Sequence, residues 1–242
     1  MRLSGPDAED YLQRMLSNDV AVLAAGEACD ALLLTAKARV IAPLVVFRRA
    51  DDDYLLLTEP ELGERVRAEL TRMRFAAKAE IELEQHTSTL VFGEQPPGGI
   101  RNTEYGRDAW ELLDAELEGE RLSDAELERL RIEARTPRYG REIDDRVLPA
   151  EAGLVERSVS MTKGCYPGQE PIARQHYRGK VNRTLRVLEL SGPVEPEAEI
   201  FAGGKPVGRV TSVADGLALG YVRVEVPDDA ELTIGGVEAR LH

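Results

Sequence analysis

The stretch Lys163-Gly164-Cys165-Tyr166-Pro167-Gly168-Gln169-Glu170 gathers the side chains of this sequence best suited to chemistry. It holds one of only two cysteines, bracketed by glycines that can take positive φ or let a ligand approach the backbone. The whole chain carries a formal charge of -13, yet seven cations and one acid lie between Arg157 and Arg186, a local charge of +6. Lys163 and Arg174 would favour a thiolate at Cys165 if they face it. Gln169 and Glu170 offer an amide and acceptors to a heterocycle, and Tyr166 offers a flat face. Arg174, Arg178 and Lys180 could hold a carboxylate or phosphate tail. Together these are the parts of a pocket with a planar polar head site and an anionic exit. The competing reading makes Cys165 a small buried hydrophobe. His176, eleven residues on, is either a partner for the thiol or a surface histidine. Cys29 lies beside an apolar run and reads as core packing.

Bulk composition removes several classes of function. At 242 residues, 43% hydrophobic and 31% charged, the chain reads as a globule of one or two domains. No apolar run approaches the roughly 20 residues needed to cross a bilayer, and the N-terminal residues lack a signal-peptide core, so a cytoplasmic protein is expected. Two cysteines and three histidines show neither a disulfide framework nor metal-ligand spacing, so no metal site is expected. The acidic balance argues against nucleic acid as a general partner. The sequence also lacks a phosphate-cradling Gly-x-x-x-x-Gly-Lys-Ser/Thr loop and a dinucleotide-binding Gly-x-Gly-x-x-Gly.

The elements that must position the loop follow from periodicity. Helical spacing of Leu12, Met15 and Leu16 predicts a helix over 6–16, and that of Leu62, Val66, Leu70 and Met73 one over 60–73. Ala31–Leu34 and Val40–Phe47 read as adjacent strands, followed by short strands at 54–57, 80–84 and 89–92. Ser123 and Glu126 fit a capping box opening another helix. Residues 135–154 are loop-rich. After residue 181, short alternating runs separated by Gly-Gly and Asp-Gly turns predict a small β-barrel or sandwich. The expected division is 1–180, an α+β region of two lobes with a largely antiparallel sheet, and 181–242, the β-barrel.

The cysteine stretch closely resembles the signature of the folate-binding YgfZ-type proteins, relatives of the glycine-cleavage T-protein that assist iron–sulfur cluster assembly or repair. Arg131–Glu142 followed by Leu148–Leu154 is similar to that family's second motif. Ser4–Gln13 and Leu33–Val40 are similar to its first domain, and Val207–Ser212 to its C-terminal barrel. The resemblance implies a multi-lobed ring around a central folate pocket, closed by the barrel. It implies tetrahydrofolate as cofactor, with a polyglutamate tail as one form, and iron–sulfur client or assembly proteins as partners. By position, Glu142 would meet the pterin head. Tyr139, Lys163, Tyr166, Gly168, Gln169, Glu170 and Arg174 would line the folate site, with Cys165 as the reactive thiol.

Three departures bear on the chemistry. Ala38 and Ala134 stand where the family often has glycine, and alanine disfavours positive φ. Ala42-Pro43-Leu44 stands where a transferring T-protein carries a catalytic aspartate in an Asp-Asp-Leu context. Neither Ala42 nor Pro43 can ionise, so a conventional aminomethyltransferase is disfavoured. The family also places a short strand before its first motif, which leaves a late start or a lost strand open here. Three readings follow: a tetrahydrofolate-binding accessory factor for iron–sulfur enzymes, a folate-dependent aminomethyltransferase or demethylase using Glu142, Glu170 or Asp19 as base, and a non-folate module that docks proteins on its basic loop.

Overall fold

The computed structural model describes residues 1–242. In chain order the elements are β1 (Arg2–Ser4), α1 (Ala8–Met15), β2 (Ala28–Leu34), β3 (Val40–Ala50), β4 (Asp53–Leu57), α2 (Gly63–Met73), β5 (Glu80–Glu82), β6 (Ser88–Phe92), β7 (Ile100–Asn102) and β8 (Ala109–Leu113). They continue with α3 (Asp124–Glu133), α4 (Val155–Ser158), α5 (Gln169–Arg178), β9 (Arg183–Leu190), β10 (Glu199–Ala202), β11 (Lys205–Ala214), β12 (Leu217–Arg223), β13 (Leu232–Ile234) and β14 (Val237–Leu241). The chain divides into two compact units. The first is Met1–Thr103 with Arg107–Glu118 and Val155–Ala173; the second is Glu104–Gly106 with Gly119–Leu154 and Arg174–His242.

The first unit is built on a five-stranded antiparallel sheet in the order β2-β3-β4-β1-β5. β1 pairs with β4 on one side and β5 on the other. The Met1 ammonium donates to Leu56 O at 3.0 Å and ties the chain end to β4. α1 buries Ala8, Tyr11, Leu12 and Met15, the i, i+3, i+4, i+7 stripe of an amphipathic helix. Its first residue is Ala8, with Pro6 and Asp7 forming the turn that leads in. The helix expected over 60–73 begins as a 3-10 turn at Pro60–Leu62 and becomes α2 at Gly63. A separate three-stranded sheet, β6-β8-β7, completes this unit.

The second unit carries a closed barrel in the order β10-β11-β12-β9-β14-β13. Leu188, Ile200, Val210, Val222, Leu232 and Ile234 fill its interior. Between Val210 and Ser212 the register of β11 against β12 shifts, leaving Thr211 as the extra residue of a bulge. A bulge re-aims the following side chain, and Ser212 is buried. α3 is capped as its sequence predicts: Ser123 Oγ accepts from Glu126 N–H, and the Glu126 carboxylate accepts from Ser123 N–H at 2.8 Å. No helix is long and apolar enough to cross a membrane.

Candidate functional site

The Cys165 loop is held at three points, all within the first unit. Lys163 buries its side chain, and Nζ donates to Leu16 O and Asn18 O, both at 2.7 Å. That ammonium also lies 5.4 Å from the centroid of the Tyr166 ring, a cation–π distance. Burial lowers Lys163 to about 8, opposed by the Asp19 carboxylate and then by Cys29. Burial likewise pushes the Tyr166 hydroxyl up to about 12. The third point is Gly168, at φ +84°, where a Cβ would meet Thr35 O at 2.7 Å and Ala38 Cα at 3.0 Å. Only glycine lets the loop rest this closely on the turn between β2 and β3. Cys165 lies between these anchors and is exposed.

Lys163 is therefore a staple for the loop. Its charge points into the protein, toward the carbonyls that follow α1. No hydrogen bond joins Cys165 to His176, whose ring packs edge-on against Tyr177 at 4.9 Å. Cys29 is partly buried, and its thiol is pushed up to about 12, first by burial and then by Asp30. A thiol held so far above neutrality is a poor nucleophile, and Cys165 is the exposed one of the two cysteines.

Sequence reasoning missed the polar cluster under this loop. Ser17 Oγ donates to Ser158 O at 2.5 Å and accepts Leu32 N–H at 2.8 Å. Asn18 Nδ2 donates to Asp30 O at 2.6 Å and to Arg157 O at 3.2 Å. Thr103 donates to the Asp30 carboxylate, and Arg157 approaches it at 4.0 Å. Asp19 accepts from Gln13 Nε2 at 2.9 Å. The run Ser17-Asn18-Asp19 directly after an amphipathic helix was the available signal, since such residues bond to backbone where a helix ends.

α5 was also missed, because Pro171 interrupts its pattern; a proline is tolerated in the first turn, where its missing N–H has no intrahelical partner. Glu170, Arg174 and Arg178 are spaced i, i+4, i+8 and form one exposed stripe. The basic stretch divides into two groups. Arg183 approaches Glu151 at 3.5 Å and stacks over the Tyr221 ring at 4.6 Å, while Arg186 pairs with Asp228 at 2.6 Å. Arg174, Arg178 and Lys180 are exposed and make no ion pair. The cations available to an anion are therefore these three.

Glu142 belongs to the second unit and is 1% exposed. One carboxylate oxygen accepts from Ser212 Oγ at 2.6 Å. The other accepts from Arg131 Nη1 at 3.1 Å and from Arg138 N–H at 2.9 Å. Tyr221 donates to the Glu142 backbone oxygen at 2.8 Å. Arg131 is itself buried and pairs with Glu128 at 2.6 Å. Glu142 is thus a buried structural acceptor joining α3, the 136–143 segment and the barrel. Tyr139 lies in the same segment, partly buried, in a bridge to Ile143.

At the position where the resemblance puts the T-protein aspartate, Ala42 is fully buried in β3, opposite Leu33. Pro43 faces Leu32, and its carbonyl accepts from Thr58 Oγ1 at 2.8 Å. Of the two alanines that replace family glycines, Ala134 has an ordinary φ of -74°. Ala38 takes φ +57°, the left-handed conformation that glycine adopts without cost.

The fold and barrel define a class, the T-protein-like proteins with a closed C-terminal β-barrel. Residues 1–92 match the GCVT N-terminal domain, and residues 182–242 match the CAF17 C-terminal beta-barrel domain. The crystal structure of glycine cleavage system aminomethyltransferase T from Bartonella henselae superposes with TM-score 0.82 at 20% identity, covering 100% of this chain and 81% of that one. The chain is 25% identical to the tRNA-modifying protein YgfZ of Vibrio atlanticus, over 95% of this chain and 83% of that protein. It is 42% identical to the mitochondrial iron-sulfur cluster assembly factor IBA57 of Mus musculus, over 31% of this chain and 20% of that one. A longer chloroplastic protein of Arabidopsis thaliana is 27% identical over 92% of this chain, which spans 63% of its length.

Proposed function

We propose that this protein is a tetrahydrofolate-binding accessory factor that supports the assembly or repair of iron–sulfur cluster enzymes, with Cys165 as its working group. The observation that carries this reading is an exposed thiol on a loop fixed by Lys163, Tyr166 and Gly168, resting on the turn that leads into β3, whose Ala42-Pro43 cannot supply the acid or base of a transferase. Preorganising a thiol while removing the transferase carboxylate suits transient coordination or exchange better than methylene transfer. One thiol supplies one ligand, so a cluster held here as cargo would take its remaining ligands from a partner. The similarity to the iron-sulfur cluster assembly factor IBA57 over 31% of the chain supports the same role.

In this reading tetrahydrofolate lies along the Cys165 loop and α5. Gln169 and Glu170 take the pterin's polar edge, and the unpaired Arg174, Arg178 and Lys180 hold the glutamate tail. Glu142 is buried, with its carboxylate held by Ser212, Arg131 and Arg138, so in this reading its main contribution is to fix the segment that carries it. The test is iron–sulfur enzyme activity in a cell lacking the native gene. The wild-type chain should restore activity and Cys165→Ser at matched protein level should not. Full restoration by Cys165→Ser would remove the thiol from the function.

A transferase or demethylase with a relocated base is the alternative. Glu142 is unsuited to it, leaving Asp19 and the exposed Glu170. Turnover of glycine-derived or N-methyl donors with tetrahydrofolate above background would favour that enzyme.

A further inference from the structure

Within the first unit, α1 and the segment leaving α2 enclose a groove of about 480 Å³ whose wall includes Pro167 of the cysteine loop. Its lining is apolar: buried Tyr11 and Met15, with Met73 and Phe75. Tyr11 donates its hydroxyl to Leu70 O at 2.5 Å and so offers the groove no free donor. Phe75 is 84% exposed and holds φ +46°. A bulky residue in the left-handed region costs roughly 1–2 kcal/mol. Exposing a large apolar side chain there as well gives folding nothing, a combination found where a surface is kept for binding.

The polar groups at this groove are few. Arg14 pairs with Asp10 at 2.7 Å, and the Asp7 carboxylate accepts Lys78 N–H at 2.7 Å. Arg74 donates Nη1 to Ala79 O at 3.0 Å and keeps its other donors. Such a lining has no donor–acceptor array for a heterocycle. It has the Met, Tyr, Phe and Arg composition of a protein interface core. The lining sets two cations, Arg14 and Arg74, against one carboxylate, Asp7, and so is locally cationic in a chain of net charge -13.

We propose that this groove docks a segment of a partner polypeptide, which inserts one apolar, aromatic side chain and pairs a neighbouring carboxylate with Arg74. The proposal rests on the functional reading above for the partner's class, an iron–sulfur assembly or client protein. Pro167 lies two residues from Cys165, so a docked segment sits beside the thiol that would act on its owner.

The test labels the methionine methyl groups of the full chain with carbon-13 and titrates two synthetic peptides, acetyl-Glu-Asp-Phe-Asp-Glu-amide and its counterpart with lysine at every acidic position. Net charge alone favours the lysine peptide, so a preference for the acidic one can arise only locally. The expected result is that the acidic peptide moves the Met15 and Met73 signals, leaves Met1 and Met161 in place, and outcompetes the lysine peptide. Phe75→Gly relieves the backbone strain and so keeps the fold, and it should weaken acidic-peptide binding about tenfold, as should Arg74→Glu. Unmoved Met15 and Met73 signals, equal response to both peptides, unchanged affinity in Phe75→Gly, or movement of the same signals by tetrahydrofolate would each overturn the proposal. Peptide binding together with full function of Cys165→Ser would leave the docking groove standing and remove the functional reading. The reverse pair of results would do the opposite.

Discussion

At the scale of single residues, two backbone positions control how the thiol is presented. Gly168 and Ala38 touch across the turn between β2 and β3, and both have positive φ. Gly168→Ala would drive a Cβ into Thr35 O and strain the backbone, so it should cost about 1–3 kcal/mol in denaturant unfolding. It should also loosen the Cys165 loop, seen as faster and less selective thiol labelling. Ala38→Gly should do the reverse, stabilising by up to about 1 kcal/mol where the left-handed strain outweighs the added unfolded-state entropy. The glycine anchor of the cysteine loop was legible in the sequence, because a glycine free to take positive φ stands at Gly168. The partners of Lys163 were not legible, because a lysine's reach to two carbonyls about 145 residues away leaves no local pattern.

Among the elements, two side-chain clusters tie segments together and respond to change in different ways. His86 lies between Asp114, at 2.6 Å from Nδ1, and Glu84, at 2.9 Å from Nε2, while Arg49 pairs with Glu84 at 2.8 Å. The Asp114 and then the Glu84 carboxylates raise the His86 pKa. The stabilisation this gives is fully present below the unfolded histidine value of about 6.5 and is lost as pH rises through the higher folded value. Glu84 is lowered to about 2, first by Arg49, with burial opposing. Its contribution is present above the usual glutamate range and falls away as pH drops toward 2. Thermal melts across pH should show both losses, and His86→Gln should remove the one at higher pH. The second cluster is the Glu142 network. Glu142→Gln leaves the Arg131 charge buried against Glu128 alone and should cost about 3–5 kcal/mol, whereas Ser212→Ala should cost about 1–3 kcal/mol. Strands and helices with clean periodicity were legible: α1, β2, β3, β4, α2, α3 and the longer barrel strands lie where alternation and helical spacing put them. The elements missed were short or interrupted. β10 and β13 have four and three residues, and α5 hides behind Pro171. The role of Glu142 was illegible for a further reason, since its burial depends on the bulge that turns Ser212 toward it.

At the scale of the whole molecule, the T-protein-like fold and the barrel followed from the order of motifs and from the change of texture near residue 181. The site's electrostatics did not, because the count of seven cations hid which were already paired. With Arg183 and Arg186 engaged by Glu151 and Asp228, the proposed attraction for an anionic tail would rest on Arg174, Arg178 and Lys180, all solvent-exposed. Exposed charges are screened within about 10 Å at 0.1 M salt. Binding should therefore weaken as salt rises and strengthen with each glutamate added to the ligand. The most direct measurement is calorimetry of tetrahydrofolate, in mono- and polyglutamyl forms, at low and moderate salt. The account predicts binding to the wild-type chain, tighter for the polyglutamate and weaker in salt, with that difference lost in the Arg174→Ala, Arg178→Ala double variant. Absence of binding at about 1 mM ligand in low salt, where only free energies weaker than about 4 kcal/mol would escape detection, would contradict it.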